Sequence, residues 1–208
     1  MARISLDPPR TLRYRLASWY ARRKFGADLD PIRAMGHHMG VVAGYSALEM
    51  AVPRWNALPH RLKDLAVMAS AVRIGCSWCV DFGTWESATR GIPLAKLEAV
   101  PNWRDSDLFE EDERLVMEYA EAMSADPPQV TDELTAALRR HLDERQLVEL
   151  TMMVAVENLR SRFNAAAGLS GQGFKDRCEI PSRPARNADA GADAGTGGAG
   201  KDRRAARS

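Results

Sequence analysis

Arg61-Leu62-Lys63-Asp64-Leu65-Ala66-Val67-Met68-Ala69-Ser70-Ala71-Val72-Arg73 carries the clearest structural signal in this chain of 208 residues. Leu62, Leu65, Ala66, Ala69 and Val72 fall at helical spacing and predict one apolar stripe along a helix. Gly75 breaks the run. Cys76 to Arg90 then resumes as a second helix, and Gly91 is a good stop for it. Where the second helix starts stands Cys76-Ser77-Trp78-Cys79, the one spacing in the sequence with chemical content.

Outward from this pair the chain reads as further helices separated by Pro and Gly. Leu12 to Lys24 carries Tyr14, Leu16, Trp19 and Tyr20 among basic residues and ends near Gly26. Pro31 suits a first helical turn, and a helix is expected from there to about Met50, weakened by Gly36, Gly40 and Gly44. Asp107 to Ser124 is acidic in its first turn, as the helix dipole favours, Thr131 opens another helix, and Asp143 to Ala167 is long, amphipathic and stopped by Gly168. No period-2 strand or Asn-Gly hairpin signal occurs, so the expected class is all-α. From Ser182 to Ser208 there is no Leu, Ile, Val or aromatic residue. Such a segment cannot bury enough apolar surface to offset its ordering entropy, and it reads as a disordered tail. The expected organisation is a basic helical arm over 1–29, a helical domain over 30–181 and the tail over 182–208.

The charge balance, Lys+Arg 29 against Asp+Glu 28, gives no reason to expect a nucleic-acid partner. MARISLDPPR at the start lacks an apolar signal core, and stretches such as Leu65 to Val72 fall far short of the ~20 residues that span a bilayer. Three cysteines do not make a secreted disulfide framework. The expectation is a cytoplasmic protein with no membrane association. In that compartment a close cysteine pair is more often catalytic, redox-sensing or metal-binding than structural.

Two cysteines three positions apart at a helix start can close a disulfide within one turn. The free N–H groups and dipole of the helix N-terminus stabilise a thiolate there, and thiolate is the nucleophile toward disulfides and peroxides. Cys79, Gly83, Glu86 and Arg90 share one helix face, with Glu86 and Arg90 an i,i+4 ion pair in the favourable orientation. The bland alternative is a pair of buried, inert thiols. Structural zinc would need two more ligands, and neither Cys178 nor His37-His38 has the spacing. Glu86–Arg90 can equally be a solvated pair.

Leu58-Pro59-His60-Arg61-Leu62-Lys63-Asp64-Leu65, the Ala-rich helix after it and Gly75-Cys76-Ser77-Trp78-Cys79-Val80-Asp81-Phe82 together resemble the carboxymuconolactone decarboxylase/alkylhydroperoxidase D superfamily. Glu157-Asn158-Leu159-Arg160-Ser161-Arg162-Phe163-Asn164 is similar to that family's C-terminal helix, so the resemblance spans roughly 30 to 180. It implies an alkylhydroperoxidase D-like helical bundle without a prosthetic group, assembled as a homo-oligomer, often a trimer or hexamer. It implies a substrate that is a small hydroperoxide or disulfide, with a thiol protein as electron donor. By the same resemblance Cys79 attacks and Cys76 resolves. The family's relay glutamate falls on Asp64, one methylene shorter, and its relay histidine falls on Gly83. A missing imidazole removes a general base, a contribution of typically 10²–10⁴-fold. Asp81, Glu86 and His60 are the candidates to take its place. The helix dipole alone favours Cys76 as the more acidic thiol, against the family order. Lactone decarboxylation, which uses a histidine-centred site in members without the cysteines, is not expected.

The resulting expectation is a thiol-dependent oxidoreductase with Cys79, Cys76, Asp64 and Glu86 at its site, needing neither cofactor nor metal. Two alternatives remain at this level: a non-catalytic redox sensor or interaction protein, with basic Arg10, Arg13, Arg15, Arg22, Arg23 and Lys24 as a docking arm or, more simply, a solvated helix face, and a non-thiol enzyme using Asp64, Glu86, Arg90 or Arg162.

Overall fold

The computed structural model describes residues 1–179, and over that range every regular element is helical. The expected disordered tail, 182–208, lies outside the described residues. The helices are α1 (Leu12–Phe25), α2 (Asp30–Met35), α3 (Met39–Ala51), α4 (His60–Ile74), α5 (Ser77–Thr89), α6 (Leu94–Ala99), α7 (Glu111–Ser124), α8 (Asp132–Leu138) and α9 (Glu144–Ala167). Short 3₁₀ turns follow α3 and α6, and another spans Lys175–Glu179.

α4 is the hub, packed between α7, α9 and α5. Its stripe of Leu62, Leu65, Ala66 and Ala69 enters the main core with Val116, Met117, Ala120, Leu150 and Val154. The sequence pattern suggests one buried stripe, but nearly the whole girth of α4 is enclosed, Lys63, Asp64 and Ser70 included. Each of the three is held by a partner on another element, as burial of polar groups requires. Lys63 pairs with Glu149 of α9 and donates to Trp55 O, Asp64 pairs with Arg90 at the C-terminal cap of α5, and Ser70 shares a hydrogen bond with Ser124 of α7.

The expected single helix from Pro31 to Met50 is two helices. Gly36 and His37 interrupt it, and His38 caps α3 by accepting from Val41 N at 3.2 Å. α9 runs as expected from its Asp143 cap, where a reciprocal Asp143–Gln146 capping box satisfies the first turn, to Gly168. The N-terminal segment does not hang free. Arg3 donates through its backbone and guanidinium to the last carbonyls of α9, and Ala21, Leu29 and Ala34 join a second core around the two cysteines.

Candidate active site at the start of helix 5

The turn between α4 and α5 positions the cysteines. Gly75 adopts a left-handed conformation, φ 80°, and its N–H returns to the carbonyls of Ala71 and Val72. This is the helix-ending geometry glycine adopts without a Cβ penalty. It reverses the chain so that Cys76 becomes the N-cap of α5. Cys76 and Cys79 are disulfide-bonded, with Cα atoms 5.3 Å apart. Cys76 Sγ accepts the N–H of Cys79 at 3.2 Å, so it occupies the place an N-cap oxygen would take. Cys79 Sγ receives a different donor, the Asn164 carboxamide of α9 at 3.3 Å. Cys76 is 1% exposed and Cys79 7%.

Around the pair lies an aromatic shell. Trp78 stacks on Phe82 with centroids 5.0 Å apart, and Trp85, Phe174 and Phe25 pack edge-on or tilted against them. Asp81, a candidate base by sequence, is committed elsewhere. Its carboxylate accepts from the backbone N–H groups of Gln172, Phe174 and Lys175, which fastens the segment after α9 beneath Trp78. Gln172 locks the same corner, accepting from Trp78 Nε1 and Asp30 N and donating to Asp28 O. Cys178 is a free, half-buried thiol that burial and the nearby Asp81 and Asp176 push upward in pKa.

The relay positions carry different contents from those of the family pattern. A Cβ at Gly83 would lie 2.7 Å from Met68 Sδ, so the thioether of α4 fills the space a side chain there would need. One turn farther from the cysteines, Arg90 bridges Asp64 at 2.7 Å and Glu86 at 2.8 Å. The expected Glu86–Arg90 pair therefore forms, and Asp64 joins it. Gly83, against which Met68 packs, lies one turn from Cys79 and one turn from Glu86 along α5. Burial raises the carboxyl pKa of both Asp64 and Glu86, and the Arg90 charge offsets this only in part. Asp64 Oδ2 is buried without a hydrogen-bond partner among the described residues. His60, at the first turn of α4, is exposed.

A second polar layer, not foreseen as part of the site, lies on α9. Arg160 grips Glu49 of α3 through Nε at 2.7 Å and Nη2 at 2.6 Å, a bidentate fork. Burial alone would raise the Glu49 carboxyl, but this fork holds it below its ordinary value. Glu157, wholly enclosed, accepts from Ser161 Oγ at 2.6 Å and meets Arg160 Nη1 at 3.4 Å. The signal was present in the sequence as polar residues at 157, 161 and 164, a helical repeat on the face that continues Leu150 and Val154. Among the described residues no cluster of three or more His, Cys, Asp or Glu is placed to hold a metal ion, and no helix is long and apolar enough to cross a membrane.

Comparison with known proteins agrees with this architecture. Residues 40–122 match the carboxymuconolactone decarboxylase family. The uncharacterized protein YnjA of Escherichia coli (strain K12) is 36% identical over 167 residues, covering 80% of this chain and 90% of its own. The debrominase Bmp8, solved in complex with 2,3,4-tribromopyrrole, superposes with a TM-score of 0.74 at 19% identity over 86% of this chain and 97% of its own. A peroxidase-related protein from Ralstonia eutropha JMP134, described as an alkylhydroperoxidase AhpD core, superposes with a TM-score of 0.71 at 17% identity over 81% of this chain and 90% of its own. The last two share the fold. With YnjA matched along most of both chains and the cysteine turn lying inside the matched family segment, this chain belongs to the carboxymuconolactone decarboxylase family.

Proposed function

We propose that the protein is a thiol-dependent oxidoreductase that reduces hydroperoxides or exchanges disulfides through Cys76 and Cys79. The observation that carries the reading is the unequal setting of two bonded sulfurs. Both residues are buried, Cys79 slightly less than Cys76, and the reading takes Cys79 as the sulfur an external thiolate meets. When a donor thiolate attacks Cys79 Sγ, the S–S bond breaks and its electron pair leaves on Cys76 Sγ. Negative charge there is stabilised by the Cys79 N–H and the positive end of α5. A second donor thiolate attacks the donor's sulfur of the mixed disulfide and releases Cys79. The helix dipole and the family order of attack thus cooperate: Cys76 is the better leaving group and Cys79 the entry point.

In the oxidative half, the Cys79 thiolate, facing the Asn164 amide donor, attacks the terminal oxygen of a hydroperoxide. The O–O bond breaks, the alkoxide is protonated and leaves as an alcohol, and Cys79 carries a sulfenic acid. Cys76 thiolate then attacks that sulfur, water leaves after protonation, and the disulfide is restored. Asp64 and Glu86 belong to the charge cluster around Arg90 and tune the field at the site rather than touching sulfur. A role in antioxidant defence and a cytoplasmic setting are consistent with this chemistry. A homo-oligomer is part of the same proposal, supported by the exposed apolar residues Leu12, Leu16, Trp19 and Tyr20 on α1 and Val148, Met152 and Leu159 on α9.

The test is stoichiometric. Reduced protein is mixed with sub-equivalent tert-butyl hydroperoxide and its free thiols are counted by mass spectrometry. The reading expects two thiols lost per peroxide consumed, both within the peptide holding Cys76 and Cys79. Unchanged thiols after peroxide exposure would refute it.

A further inference from the structure

Glu157 is a buried acid that the cycle above does not use. It shares one face of α9 with Ser161 and Asn164, at i, i+4 and i+7. At the cysteine end, Asn164 gives an N–H to Cys79 Sγ, and its Oδ1 is buried without a partner among the described residues. Ser161, fully enclosed one turn back, donates to Glu157 Oε1. The other Glu157 oxygen has only the 3.4 Å contact to Arg160, and two other nitrogens of that guanidinium are committed to Glu49. The result is an under-compensated carboxyl at one end of a polar column whose other end rests on the reacting sulfur. A neutral glutamine would still accept the Ser161 bond through its amide oxygen, but its amide nitrogen would face Arg160 Nη1, where the carboxylate accepts.

We propose that Glu157 is a positioning residue whose ionisation is coupled to that of Cys79, in the absence of the imidazole that Gly83 cannot supply and Met68 displaces. The proposal rests on the thiol reading of the preceding subsection. On reduction, Cys79 is released as a thiolate, and its negative charge favours the protonated form of Glu157. On oxidation, the Cys79 thiolate attacks the hydroperoxide, the departing alkoxide takes a proton from solvent, and the loss of the sulfur's negative charge lets Glu157 ionise. Burial lifts the Glu157 carboxyl to about 7, with Arg160 and Ser161 opposing the rise and Glu49 adding to it. A carboxyl with that value exchanges a proton near neutrality. The groups that set it are Arg160 on its own helix and Glu49 on α3. The nearby Tyr45 phenol on α3 stays protonated through burial and the Glu49 charge. Glu86 on α5 feels Arg160 in turn and is linked to Asp64 on α4 through Arg90.

The experiment is the pH profile of Cys79 alkylation by iodoacetamide in the reduced full-length protein. Fragment masses assign the label to Cys79. Seven residues along α9 separate Glu157 from Asn164, a rise of about 10 Å. Charges at that range and an effective dielectric of about 20 couple by about one pH unit. Wild type is therefore expected to show two inflections, a minor one near pH 7 and the main one above it. Glu157→Gln is expected to show a single inflection, about one pH unit below the wild-type main one, and Glu157→Asp to keep two. A single inflection in wild type, or the same two in Glu157→Gln, would overturn the proposal. Because alkylation consumes no peroxide, loss of peroxide turnover alongside a two-step profile would count against the oxidoreductase reading and leave the Glu157–Cys79 coupling standing.

Discussion

Replacing Glu157 by glutamine should change how the stability of the fold depends on pH. The Glu157 carboxyl rises from 4.5 to about 7 on folding because burial penalises its charged form. Between those values the folded chain binds more protons than the unfolded one, so stability falls as pH rises through this window. The contribution is complete below about 4.5 and gone above about 7. At 1.36 kcal/mol per unit the span corresponds to about 3 kcal/mol as an upper bound, and relaxation of the site lowers it toward about 2. Glutamine has no charge to bury and loses nothing over the same range. Carboxylates held low by partners that do not touch Glu157, Asp112 and Glu149 among them, titrate alike in both proteins and cancel in the difference. Urea unfolding of the oxidised proteins, followed by circular dichroism at pH 5 and pH 8, measures the effect. The variant should gain on wild type by about 2–3 kcal/mol between the two conditions, a relative change in Tm of roughly 5–10 °C. A stability difference that does not vary between pH 5 and pH 8 would refute the burial argument for this carboxyl.

Other consequences are direct. Asn164→Leu removes the N–H that faces Cys79 Sγ, a donor whose bond to a charged sulfur is worth roughly 1.5–3 kcal/mol, so alkylation of reduced Cys79 at pH 7 should slow about tenfold or more. Gly83→His drives a side chain into Met68 and should destabilise by roughly 1–3 kcal/mol, while Met68→Ala in the same chain should recover part of the loss in thermal melts. Lys63→Met strands the Glu149 carboxylate inside the protein and should cost about 3–5 kcal/mol in urea titrations, whereas the double change with Glu149→Leu should cost much less.

The helical class, the α4–α5 turn and the placing of Cys76 at a helix start were readable because each depends on local rules: periodicity, a left-handed glycine, a cap. The break at Gly36 and His37 was harder, since the apolar residues on either side continue a helical pattern, Gly36 only weakens it, and the His38 cap fixes where α3 restarts. The burial of Lys63 and Asp64 was not readable at all from α4, because their partners Glu149 and Arg90 come from elements 86 and 26 residues away. The same holds for the site. The Glu86–Arg90 pair is local and was visible. The filling of the Gly83 space by Met68, and the meeting of Asn164 with Cys79, are long-range contacts that leave no trace in spacing. The polar positions 157, 161 and 164 did leave one, since three polar side chains on the apolar face of a long helix need a partner inside the fold.

Steady-state reduction of an alkyl hydroperoxide with a dithiol donor tests the redox account most directly, with wild type run beside Cys79→Ser. Sustained turnover in wild type and none in the serine variant is the outcome expected of an attacking sulfur at position 79. Equal rates in the two proteins would contradict it.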